Sequence, residues 1–128
     1  EANPSFADCP GLPVHVFGPA TTVSGSTASY TNFDQGSCGG GSAKDRFYQV
    51  VPEKTGTLHA VVTSASFDAV LYARTTCLDT TKEIGCSDFV GKGGESFDVA
   101  VTAGTPIWIA VDGYQTQSGT FDLELSIK

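Results

Sequence analysis

Ala65-Ser66-Phe67-Asp68-Ala69-Val70-Leu71-Tyr72-Ala73-Arg74 is the run whose reading decides the fold. Side chains of an extended chain alternate with period two. Phe67, Ala69, Leu71 and Ala73 therefore share one face, and Asp68, Val70, Tyr72 and Arg74 share the other. The first face is apolar and reads as the core side of a central strand. The second mixes a carboxylate, a tyrosine and an arginine, so it either meets solvent or holds a polar site completed by neighbouring strands.

The same alternation recurs on both sides of this run. Towards the N-terminus, Val14 and Val16 alternate against His15 and Phe17, between prolines that suit an edge or a strand end. Residues 20–29 are mostly Thr, Ser, Gly and Ala, the composition of a surface loop or a weak edge strand, and 30–33 is a further pairing segment. The glycine-rich turn 35–42 lacks the Lys and helix of a phosphate loop and is not a G-x-S-x-G elbow, so it reads as a loop stapled by Cys38. Residues 46–51, closed by Pro52, and 58–63 flank the turn Thr55-Gly56-Thr57 and are expected to form a hairpin.

Towards the C-terminus, Phe97, Val99 and Val101 alternate with polar neighbours. Ile107, Ile109 and Val111 then oppose Trp108, Ala110 and Asp112. After the turn 113–119, Phe121, Leu123, Leu125 and Ile127 point inward, with Asp122, Glu124 and Ser126 outward. Eight or nine short strands with no amphipathic run of helical period give an all-β fold, a two-sheet antiparallel β-sandwich. The 128 residues make one domain, with residues 1–29 as an N-terminal strap and edge region and 30–128 as the main body. Alternation alone does not separate jelly-roll from immunoglobulin-like topology.

The net charge of −7, from 7 basic and 14 acidic residues, argues against a nucleic-acid partner. No apolar run approaches the roughly 20 residues of a membrane span, and four cysteines without a C-x₂-C knuckle read as disulfides of an oxidising compartment. A chain without Met is expected to be a mature secreted fragment, a monomer in solution. Four cysteines allow three connectivities. The expected pairing is Cys9 with Cys38, tying the Pro-rich lead-in to the glycine loop, and Cys77 with Cys86 across a hairpin.

Catalysis finds little to work with. His15 and His59 are the only histidines, each inside a strand with ordinary neighbours, and no nucleophile motif accompanies them. The chain is not expected to be an enzyme. Asp34, Asp45, Asp68, Asp88 and Asp112 lie near loops or strand ends; of these Asp68, Asp88 and Asp112 are the candidate ligands for calcium, the one cofactor the sequence admits. Trp108 lies opposite the core face of its strand, where a large ring calls for a cover or a ligand, and Tyr114 and Tyr72 are its candidate neighbours in a binding surface.

Thr55-Gly56-Thr57-Leu58, Ser66-Phe67-Asp68-Ala69-Val70-Leu71-Tyr72, Cys77 through Cys86, Val101-Thr102-Ala103-Gly104-Thr105 through Val111-Asp112-Gly113-Tyr114, and Ser118-Gly119-Thr120-Phe121-Asp122-Leu123 together resemble the bacterial pre-peptidase C-terminal (PPC) domain family, cysteine-containing type. The likeness runs from about residue 30 to residue 127. It implies a jelly-roll-like sandwich carried by secreted proteases and other exported hydrolases as a non-catalytic accessory module. Related domains bind calcium or insoluble polymers such as collagen or chitin. Members often carry two acidic residues after the second cysteine of the hairpin, whereas Cys86-Ser87-Asp88-Phe89 keeps one. The resulting expectation is a secreted or cell-surface bacterial module whose partner is an extracellular polymer or the neighbouring catalytic domain of the same chain. The alternative is a structural or folding-assistance appendage with no ligand of its own.

Overall fold

Nine β-strands and one short 3₁₀ helix form the regular structure of the computed structural model, which describes residues 11–28, 36–39, 45–77, 79–88 and 94–128. In chain order the strands are β1 (Leu12–Val16), β2 (Thr21–Ser26), β3 (Arg46–Pro52), β4 (Gly56–Ala65), β5 (Ala69–Arg74), β6 (Glu83–Ser87), β7 (Ser96–Val101), β8 (Ile107–Gly113) and β9 (Thr120–Ile127). The helix, Thr80–Lys82, precedes β6 and is capped by Asp79, whose side chain accepts from the Thr81 amide. One sheet runs β1-β3-β8-β5-β6 and the other β2-β9-β4-β7. The two pack as a β-sandwich, and β1 against β3 is a parallel pair in sheets otherwise antiparallel.

Period-two alternation places the core as the sequence indicates. Phe67, Ala69, Leu71 and Ala73 face Leu58, Ala60, Val62, Ile109, Val111, Leu123 and Leu125 between the sheets. The run 65–74 is nevertheless not one strand. Ala65 ends β4 in the four-stranded sheet, residues 66–68 turn the corner, and β5 begins at Ala69 in the other sheet. The expected hairpin between 46–51 and 58–63 is absent for a related reason. β3 pairs with β1 and β8, β4 pairs with β7 and β9, and the link between them crosses from sheet to sheet. Alternation marks a face as apolar without saying which sheet carries it.

The polar-looking face of β5 is buried as well, so that all six of its residues are withdrawn from water. Val70 and Tyr72 join Phe47, Cys77 and Ala110 in a second apolar cluster on the outer side of the five-stranded sheet, with Cys86 and Trp108 packed against it. Arg74, 1% exposed, holds its guanidinium 5.1 Å from the Tyr72 ring centre and 5.7 Å from that of Phe47, and its Nη1 donates to the Cys77 carbonyl at 3.1 Å. Its planar charge lies on aromatic faces, which is how it enters an apolar cluster.

Residues 36–39 lie over part of this cluster. A Cβ at Gly36 would come within 2.8 Å of the Tyr72 ring and 2.9 Å of the Cys86 sulfur, so only glycine lets the backbone lie so close. Cys38 is bonded to Cys86, which corrects the expected pairings of Cys9 with Cys38 and of Cys77 with Cys86. The register explains the difference. Cys86 stands opposite Tyr72 in the β5–β6 pair, whereas Cys77 lies past the end of β5, beyond the last pair of Arg74 with Glu83. Cys77 is also disulfide-bonded; Cys9 lies outside the described residues. Glu83 adds a second tether, accepting from the Ser37 amide at 2.9 Å and from the Ser37 hydroxyl.

Candidate functional site

The aromatic residues singled out from the sequence do not form one exposed platform. Tyr72 is fully buried, its ring edge-on to Phe47 at 5.8 Å and its hydroxyl donating to Asp45 at 3.4 Å. Trp108, between Gln49 and Arg74 in register, is half-buried against the outer cluster. Tyr114 is exposed in the turn after β8, with its amide donating to the Asp68 carbonyl at 2.8 Å. Cover for the outer cluster comes from residues 36–39, while within 20–29, whose composition suits a surface loop or a weak edge strand, Thr21–Ser26 forms the edge strand β2.

The carboxylates divide in a similar way. Asp112 is fully buried and its Oδ1 accepts from the Gly113 amide at 2.8 Å. Asp68 sits at the corner before β5, where its amide donates to the Gln117 side chain at 2.8 Å. Burial pushes the Asp88 carboxyl up, and the neighbouring Asp68 carboxylate adds to the rise. Among the described residues no three His, Cys, Asp or Glu side chains gather as a metal ion requires; Asp34 lies outside them. Each histidine is tied to a surface carboxylate, His15 to Glu53 at 2.6 Å and His59 to Asp98 at 2.6 Å.

Among the described residues, an ordered polar arrangement borders an open hollow on the four-stranded sheet. In register, β9 places Asp122 between Ser24 of β2 and Ser64 of β4. A β-bulge makes this row possible. Leu58, Ala60 and Val62 point inward along β4, and continued alternation would turn Ser64 inward as well. The register shift between Val62 and Ser64 resets the parity, so Ser64 faces out and Ala65 packs on the core. Asp122 accepts from the Ser24 hydroxyl through Oδ1 at 2.6 Å and from the Ser64 hydroxyl through Oδ2 at 3.0 Å. These bonds, that from Ser24 first, hold its carboxyl below the usual carboxylate range. The row borders an open trough of about 510 Å³ that also includes Gly25, Ala65, Ser66 and Thr120.

This row could not be read locally. Ser24 and Ser64 stand 98 and 58 positions from Asp122, and only strand order and a bulge bring the three together. The available signal was Asp122 on the outward parity of β9. A second hollow, of about 490 Å³, is lined by Val99, Val101 and Ile107 of the sandwich core together with Asp98, Thr75, Thr102 and Thr105; its one carboxylate, Asp98, is already bonded to His59.

No protein-family model matches the chain, and no curated protein sequence matches it. Solved structures share its fold, two of them as follows. The chain is similar to the pre-peptidase C-terminal domain of a collagenase from Bacillus anthracis, with a TM-score of 0.59 and 13% identity over 90% of this chain and 93% of that one. It is also similar to PliG from Aeromonas hydrophila, a periplasmic inhibitor of g-type lysozyme, with a TM-score of 0.54 and 19% identity over 91% of this chain and 98% of that one. At such identities the likeness establishes the sandwich and its PPC-like arrangement at the level of fold. One neighbour is a domain carried by an enzyme and the other is an inhibitor of one.

Proposed function

We propose that this chain is a non-catalytic accessory module of an exported bacterial protein, attaching it to an extracellular polymer, polysaccharide or protein, through the outer face of the four-stranded sheet. The observation that carries the reading is the Ser24–Asp122–Ser64 row, an ionised carboxylate ordered by two hydroxyls at the edge of an open trough. Groups fixed before binding lose less freedom when a partner arrives. Support for an accessory role comes from the fold shared with a collagenase domain, and support for an exported location comes from disulfide bonding.

The second reading is a structural appendage that packs against a neighbouring domain of its own chain. Trp108 favours it, since the ring is engaged with the outer cluster instead of standing clear for a ligand. A pull-down on chitin, cellulose and collagen distinguishes the two, using the wild type, Asp122→Asn and Trp108→Ala. The binding reading expects retention on at least one polymer and loss of retention in Asp122→Asn. No retention of any protein on any polymer leaves the appendage in possession.

A further inference from the structure

The chemistry of the row narrows the class of partner, and this step rests on the binding role proposed above. An ionised carboxylate has no proton to give, so both contacts to Asp122 use the serine hydroxyl protons: Ser24 on Oδ1 and Ser64 on Oδ2. Each hydroxyl has one proton and two lone pairs. With those protons committed, the row presents four oxygen atoms that accept and none that donates. Both serines are exposed and line the trough, which leaves their remaining lone pairs open to a partner there. The group complementary to such a surface donates only and carries positive charge.

We propose that the trough binds the primary ammonium of a lysine side chain on an extended segment of a protein partner. An ammonium is a compact charge with three donors and no acceptor, able to bridge the carboxylate and the serine oxygens together. A guanidinium gains most from two free carboxylate oxygens in its plane; here each oxygen already takes a serine proton. A sugar ring is less well served. It brings hydroxyls that need donors as well as acceptors, and it gains from stacking on an exposed aromatic face, whereas Phe121 in the lining is only 3% exposed. Extended geometry offers a second contact outside the trough, whose lining ends at Asp122. Glu124 lies two residues beyond Asp122 on the outward face of β9, about 7 Å along the strand, the same spacing as lysines at alternate positions of an extended peptide.

The test measures binding of a short capped peptide carrying lysines at alternate positions, the same peptide with its lysines acetylated, its arginine counterpart, and a chitosan oligosaccharide. The proteins are the wild type, Asp122→Asn, the double variant Ser24→Ala with Ser64→Ala, and Asp79→Asn. The last removes one negative charge on the other sheet and keeps a capping side chain, so it reports what net charge alone contributes. Melting curves check that every variant is folded. The expected result is that the lysine peptide binds, its acetylated form does not, and the arginine form binds more weakly. Asp122→Asn should lose roughly tenfold or more in affinity, the scale of one charge-assisted contact, the double serine variant should lose part of this, and Asp79→Asn should stay within about twofold. Equal binding by wild type and Asp122→Asn, an equal loss in Asp79→Asn, or no binding of the lysine peptide overturns the proposal. If chitosan binds through Asp122 and the peptide does not, the lysine assignment falls while the polymer-binding role stands.

Discussion

Asp122 and Asp88 show at single residues how neighbours set the sign of a carboxylate's contribution. Serine hydroxyls on Asp122 favour its ionised form, so its folded-state pKa lies below the unfolded value. Its stabilising effect is present above the ordinary carboxylate pKa and is lost as pH falls through the lowered value. Asp88 is the reverse, raised first by burial and then by Asp68. Stability associated with it is present below the ordinary value and is lost as pH rises through the raised one. Asp88→Asn should therefore melt higher than the wild type at neutral pH, by an amount equivalent to no more than about 0.5 kcal/mol for a half-buried site that solvent still screens, and the gap should close by about pH 3, below the ordinary Asp pKa. Asp122→Asn should melt lower than the wild type at neutral pH and converge with it in acid. Thermal melts across this range check both signs.

At the scale of the strand, β2 shows what composition conceals. A Thr-, Ser- and Gly-rich run reads equally as loop or edge strand, and pairing with β9 settles it as a strand. Gly25 on its inner side lies above the sandwich interior, where an added Cβ would come 2.5 Å from the Tyr48 hydroxyl and 2.8 Å from the Phe121 ring. Gly25→Ala should destabilise the protein by about 1 to 3 kcal/mol, the usual result of overpacking, while Thr22→Ala, at an exposed position of the same strand, should change it by less than about 0.5 kcal/mol. Urea denaturation measures both. The alternation of Phe67, Ala69, Leu71 and Ala73 was legible because period two is a local property. Neither the corner at 66–68 nor the crossing from β3 to β4 was, because a local pattern is silent on which sheet receives the next strand. The β4 bulge, which turns Ser64 towards Asp122, and the choice of Cys38 as partner for Cys86 depend on register between distant segments, and the sequence carries no local mark of either.

For the whole molecule, the consequence of strand order is a protein with two apolar clusters divided by the five-stranded sheet. Both sheets enclose the inner cluster. On the outer side, residues 36–39 cover Tyr72 and are anchored by Cys38–Cys86 and by Glu83. The bond links positions 48 residues apart, and closing a loop of that length restricts the unfolded chain by roughly 4 kcal/mol in the chain-entropy picture. Against a total of about 5 to 15 kcal/mol for a domain, its loss should weaken the fold without abolishing it, and the loss should fall unevenly. Trp108, the only tryptophan, packs against the outer cluster and reports on it directly. In the wild type, its fluorescence and the far-ultraviolet circular dichroism should follow one urea transition. In the Cys38→Ser, Cys86→Ser double variant, the overall midpoint should fall, and the red shift of Trp108 should come at lower urea than loss of the sheet signal, because the outer cluster opens while the inner one still holds the two sheets together. Coincident curves in the variant would mean that the outer cluster persists without its staple, and that the two clusters unfold as one unit.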